Sequence, residues 1–278
     1  MPSSGRSWVF SFAATIAAMM AIQMSSLGFS PLLPAIQKDF SLSYSQIGLF
    51  TGLYGLVAMV VSVPAGMLAK RIGEKAALTG GLLGVAIGLL LLSQAATYGW
   101  ALGARVVWLL GYRVAFVCVM TSIALVSPAE FRSRAMGILG AMASLASVIG
   151  APFGTVIAEP YGWRGGIIGF AVMAFIGAGV FWLGYQAAAP SQQTSLHGHG
   201  PSAPSRSAFR TPVVWSMVLL GLINMGGFSA TFFVPSAVKT TFQLGAMESA
   251  LVISTSYIVA IFVNILFGYL CDKSTAGT

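Results

Sequence analysis

The sequence predicts an all-α membrane protein, a multi-pass bundle of helices, and three observations carry that reading. Of its 278 residues, 57% are hydrophobic and only 7% charged, whereas a soluble domain covers its surface with about 25% charged residues. Its apolar runs are about 20 residues long, the length of helix that crosses a ~30 Å hydrocarbon core. The short alternating segments of a membrane barrel do not occur. Helices then remain as the way to satisfy every backbone group in lipid.

Eight spans follow in order, near residues 8–35, 46–69, 76–96, 98–126, 136–158, 165–187, 213–237 and 249–270. The first is too long for a secretory leader and lacks a small-residue cleavage pattern, so it stays in the membrane. The basic residues set the orientation. With the N-terminus in the cytoplasm, Arg6, Lys70, Arg71, Lys75, Arg132, Arg134, Arg206, Arg210 and Lys273 fall inside, and only Lys38, Arg164 and Lys239 fall outside. That is the bias of a positive-inside topology with an even number of crossings, and the expected location is the plasma (cytoplasmic) membrane. The net charge of +8 is thus spread over short loops, which excludes a nucleic-acid patch.

Residues 188–212, AAPSQQTSLHGHGPSAPSRSAFRTP, are too rich in Ser, Pro and Gly to bury a core. They read as a cytoplasmic linker between a six-helix bundle (1–187) and a partial second bundle (213–278). His197 and His199 within it are a chance pair rather than a metal site. Cys118 and Cys271 sit in or beside apolar runs and read as reduced packing residues. An internal repeat supports the division: Phe40-Ser-Leu42 and Gly66-Met-Leu68 return as Phe242-Gln-Leu244 and Gly268-Tyr-Leu270, both displaced by 202 residues. Parallel halves of this kind are a transporter architecture with a binding site between them.

The chemistry concentrates in the fourth span. Between Lys75 and Glu130 the only charged residues are Arg105 and Arg113. Counted from Gly99 at ~1.5 Å per residue, they lie about 9 and 21 Å deep. Trp108, Tyr112 and Phe116 share the face of Arg105, and Arg113 is rotated from it by about 80°. An arginine near the bilayer centre costs at least ~2.5–3.5 kcal/mol unless protein, water or counter-charge receives it. None of the six carboxylates, Asp39, Glu74, Glu130, Glu159, Glu248 and Asp272, falls within a span. An anionic solute would supply the missing charge, because guanidinium forks grip carboxylate and phosphate groups well. The alternatives are backbone carbonyl partners for Arg105 and snorkelling toward the headgroups for Arg113.

The candidate solute contacts are Arg105, Trp108, Tyr112, Arg113, Gln23, Tyr54, Asn224 and Tyr257. Small hydroxyls at Thr15, Ser26, Ser30, Thr51 and Ser62 read as packing groups that let helices approach closely. No intramembrane His, Asp, Glu or Lys is available as acid, base or metal ligand. The sequence therefore predicts no enzyme, no cofactor and no metal, and offers no proton relay within these spans.

The loop GMLAKRIGEKAAL, residues 66–78, resembles the Gly-x-x-x-Asp-Arg-x-Gly-Arg-Lys signature of the major facilitator superfamily. Gly66, Arg71, Gly73 and Lys75 match it, while Lys70 stands at its Asp and Glu74 at its next Arg. The two exchanged charges are four residues apart and positioned to pair across a helical turn. The resemblance implies that this loop latches the cytoplasmic ends of two bundles. Arg105 with Gly111 is similar to the family's fourth-helix Arg-x-x-Gln-Gly-x-Gly. Gly150, Pro152 and Gly154 resemble its fifth-helix element, with Ala151 replacing a glycine, and Trp163-Arg164 resembles its Trp-Arg pair. Gly268 and Asp272 open a second copy of the loop signature.

The family has twelve helices, so the resemblance implies a chain truncated after its eighth. It further implies a monomeric secondary transporter in the bilayer that moves a small solute by alternating access, with a coupling ion left open. The exclusively cationic membrane charges favour an organic or inorganic anion. Export of hydrophobic or cationic compounds on the same fold is the alternative, with a non-transporting sensor or intramembrane enzyme behind it.

Overall fold

The computed structural model describes residues 4–128, 131–186, 215–216, 219 and 245–275. The expected linker, nearly all of the seventh span, and Asn224 lie outside the described residues. Those described form helices, with no strand among them.

The first span is not one helix. Helix α1 (Ser4–Gly28) gives way to a single 3-10 turn (Ser30–Leu32) and then to the short α2 (Leu33–Asp39). Pro31 and Pro34 stand at the first turns of these last two elements. A proline lacks the N–H that would continue the preceding helix and is tolerated best where such donors are unpaired anyway. Apolar length alone, which is continuous here, does not mark this break.

Helix α3 (Tyr44–Ile72) opens with a reciprocal cap, the Ser43 amide donating to Gln46 Oε1 at 2.8 Å and the Gln46 amide to Ser43 Oγ at 3.3 Å. It ends at Gly73, whose φ of 87° lies in the left-handed region that favours glycine. One residue therefore suffices to separate α3 from α4 (Glu74–Ser93). Helix α5 (Tyr98–Val126) begins at Thr97, whose side chain accepts the Trp100 amide at 3.3 Å.

Helices α4 and α5 meet along a glycine seam. A Cβ at Gly81 would stand 2.6 Å from the Ala115 amide nitrogen, and one at Gly111 only 2.5 Å from that of Val85. Gly88 lies against the backbone of Trp108 in the same way. Backbones in direct contact replace the hydrophobic drive that lipid cannot provide. The seam also fixes the rotation of α5, and so the direction in which its arginines point.

Element α6 (Arg132–Gly184) is two helical arms joined at Gly162 (φ 69°, ψ 177°), two residues after Pro160. Its arms correspond to the predicted fifth and sixth spans and fold back on one another, with Gly154 against the ring of Phe170. Gly150 faces α1, where a Cβ would stand 2.8 Å from Met24 O. Both motif glycines thus have a packing reason to be glycine. Helix α7 (Ala246–Thr275) packs on α6, where Ser254 Oγ donates to Val148 O at 2.9 Å and Asn264 Nδ2 to Ser144 Oγ at 3.3 Å. Long apolar helices of this length and composition make the chain an integral membrane protein.

Candidate functional site

The α4–α5 seam leaves one face of α5 turned toward α1 and α3, and two aromatic cages form there. The first surrounds Arg105, which is 1% exposed. Its guanidinium carbon lies 4.0 Å from the ring centroid of Trp108, 4.8 Å from Phe29 and 5.3 Å from Phe50. Phe29 also stacks on Phe50 and meets Trp108 edge-on. Arg105 Nε and Nη1 have no hydrogen-bond partner among the described residues. Ring quadrupoles, each attracting a cation by ~0.5–2 kcal/mol, are what hold this charge.

The second cage surrounds Arg113, eight residues and about 12 Å further along α5. Arg113 is 8% exposed, with its guanidinium carbon 4.9 Å from the centroid of Tyr54, 5.7 Å from Phe116 and 5.9 Å from Tyr112. Here the rings carry hydroxyls. Tyr112 OH donates to Gln23 Oε1 at 2.5 Å, and Tyr54 OH lies 3.5 Å from Tyr112 OH. Arg113 Nη2 is buried and unpartnered among the described residues. Neither arginine has a carboxylate within ion-pair distance there, and the ion pair of Arg164 with Asp39 lies elsewhere.

Six of the eight candidate solute contacts therefore lie in these two cages, Arg105 and Trp108 in the first and Tyr112, Arg113, Gln23 and Tyr54 in the second. Tyr257 is half-buried on α7, the helix that packs on α6, and Asn224 is outside the described residues. Phe29 and Phe50 are cage walls that the sequence reading missed. Phe50 was within reach, since it precedes Tyr54 by four residues and so shares its face of α3. Phe29 follows the end of α1, where no periodicity marks it. Two of the small hydroxyls behave as expected of packing groups: Thr15 donates to Ser11 O at 2.8 Å and Thr51 to Ile47 O at 2.9 Å, each within its own helix.

The loop signature departs from its expected chemistry. Lys70 and Arg71 are exposed at the end of α3, but Glu74 turns inward, where it accepts Thr121 Oγ1 at 2.8 Å. The expected pairing of Lys70 with Glu74 does not occur, because Gly73 interrupts the helical turn it requires. Helix α4 also starts two residues earlier than predicted, so a carboxylate does stand in the first turn of a membrane helix. Thr121 lies eight residues beyond Arg113, about 12 Å along α5, so Glu74 does not neutralise that arginine. Lys75 packs over the ring of Trp182 at 4.9 Å. Gly66 lies on α3, and Gly268 and Asp272 on the last turns of α7.

On the opposite side, Arg164 Nη1 pairs with Asp39 Oδ2 at 2.9 Å and its Nη2 donates to Ala95 O at 3.0 Å. Trp163 Nε1 donates to the same carboxylate oxygen at 3.1 Å. The Trp-Arg pair thus ties α6 to α2 and to the turn before α5.

Comparison with known proteins agrees with this architecture. The family profile described as Major Facilitator Superfamily matches residues 11–277. A probable sugar efflux transporter of Pasteurella multocida (strain Pm70) is 29% identical over 85% of this chain and 55% of its own length. A chloramphenicol resistance protein of Streptomyces lividans is 25% identical over 82% of this chain and 58% of its own. The chain thus spans somewhat more than half the length of these curated relatives. Among solved structures, a bacterial homolog of the human lysosomal transporter Spinster superposes with a TM-score of 0.77 at 20% identity, covering 98% of this chain and 64% of that one. With its sequence matched almost end to end and its helices in the same arrangement, the chain belongs to the Major Facilitator Superfamily.

Proposed function

We propose that this chain carries the solute-binding helices of a secondary transporter that moves a small anion across the membrane by alternating access. The observation that carries the reading is Arg113. It is a cation within a membrane-spanning helix, with an unmet N–H, two phenols and an amide beside it, and no carboxylate partner among the described residues. An anion docking there gains charge-assisted hydrogen bonds in a low-dielectric setting, and its body stacks on Tyr54, Tyr112 and Phe116. Family membership supports the transport mechanism.

The test is uptake by proteoliposomes of a panel of labelled solutes: carboxylates, inorganic phosphate, a neutral sugar and a hydrophobic cation. Saturable uptake of an anion that falls at least about tenfold in Arg113→Ala supports the reading. An Arg113→Ala protein with unchanged affinity and rate contradicts it.

A second reading, export of a neutral or hydrophobic compound, is favoured by the chain of hydroxyls from Tyr54 through Tyr112 to Gln23 and by the ring faces beside it. The names of the two curated relatives point the same way. Sugar or hydrophobic-cation flux that survives Arg113→Ala but falls in Tyr112→Phe selects it.

A further inference from the structure

Apart from the arginine cages, α3, α4 and α5 enclose an open-sided cleft of about 320 Å³ whose lining is wholly Val, Leu, Ile, Ala and Gly. We propose that it binds one acyl chain of an anionic phospholipid, with the headgroup held by Arg71 and Lys70.

The length of the cleft fits one leaflet. On α3 it runs from Val61 to Ile72, about 16 Å at ~1.5 Å per residue, or half of a ~30 Å hydrocarbon core. Part of its lining is backbone, at Gly80 and at the seam glycines Gly81, Gly84 and Gly111. A Cβ built on Gly80 meets nothing within 4 Å. A cleft with no polar lining does not retain water, and in a bilayer the available apolar filler is lipid. The neighbouring surface of α3 is itself apolar, at Met59, Val60, Val63 and Met67.

The charge at the mouth selects the headgroup. Arg71 adjoins Ile72 at the end of the cleft, and it and Lys70 are both exposed. Lys75 is drawn instead toward Trp182, and Glu74, a nearby carboxylate among the described residues, is turned inward on Thr121. The mouth is therefore cationic. Positive-inside bias assigns this end to the cytoplasm, where anionic lipids attract juxtamembrane Lys and Arg, and the Arg71 fork suits a phosphodiester.

The experiment is native mass spectrometry of the delipidated protein in detergent, titrated with phosphatidylglycerol and with phosphatidylcholine. Phosphatidylglycerol is expected to bind at least about fivefold more tightly. Gly80→Leu, whose side chain enters open space, should remove that binding without lowering the thermal midpoint. Arg71→Gln should abolish the preference between headgroups while chain binding persists. Equal affinity for the two lipids, or undiminished phosphatidylglycerol binding in Gly80→Leu, overturns the proposal. So does a photo-cross-linker at position 80 that captures protein, a second copy or a further helix, in place of lipid.

Discussion

The two arginine cages on α5 differ in what their rings carry. Around Arg105 the walls are Phe29, Phe50 and Trp108, three ring faces without a hydroxyl. Around Arg113 two of the three rings are phenols, and one of them is tied to Gln23. Cation–π attraction alone holds a guanidinium out of water in the first case, so burial of an arginine is not by itself the mark of a ligand. What distinguishes Arg113 is its company: hydroxyls and an amide able to orient a polar solute, and slightly more exposure. An anion reaches Arg105 only if its rings move, whereas Arg113 already shares its surroundings with hydroxyl and amide groups.

That contrast breaks most visibly at Arg113 itself. Arg113→Ala removes charge-assisted hydrogen bonds worth ~1.5–3 kcal/mol, so anion affinity measured in proteoliposomes should fall about 10- to 100-fold. Arg113→Lys, which keeps the charge but loses the planar fork, should fall between the two. The next largest effect is on stability. Arg105→Ala forfeits three ring contacts and leaves a cavity, for a loss of ~1–3 kcal/mol read as a lower thermal midpoint in detergent. Arg105→Met should restore most of that loss by filling the cage. If Arg105→Met instead kept its stability but lost transport as completely as Arg113→Ala, the distinction between the cages would be wrong.

A smaller effect sharpens the second cage. Tyr112→Phe deletes the hydrogen bond to Gln23, worth ~0.5–1.5 kcal/mol, and should weaken solute affinity about two- to tenfold. Tyr54→Phe should matter less, because its contact with Tyr112 is already 3.5 Å long. The smallest change is expected on the far side of the bundle. Asp39→Asn weakens a pair whose side chains are 41% and 43% exposed. Such pairs contribute ~0–1 kcal/mol, so the thermal midpoint should scarcely move.

Most of the described helices are legible in the sequence through helical periodicity and length, because lipid forces each crossing to be about 20 apolar residues. Arg105, Trp108, Tyr112 and Arg113 are legible for a related reason: a charge inside an apolar run stands out, and the helical period places its neighbours. Other features escape a sequence reading because they depend on contacts across the chain. Phe29 joins a cage only because α1 ends where α5 can meet it. Pro31 and Pro34 divide the first span although its hydropathy is continuous. Glu74 reads as a loop residue, yet Gly73, at positive φ, lets α4 begin early and turns the carboxylate toward Thr121. The wholly apolar cleft beside Gly80 has no sequence signature beyond its glycines, which serve as seam residues elsewhere on the same helix.

The central claim is that Arg113 borders a path which water and solute can enter. Replacing Arg113 with cysteine, in a protein whose Cys118 and Cys271 are serine, tests it most directly through labelling by a membrane-impermeant anionic methanethiosulfonate. The account predicts labelling from one side of sealed vesicles. A cysteine at position 113 that labels from neither side, with or without solute, would contradict it.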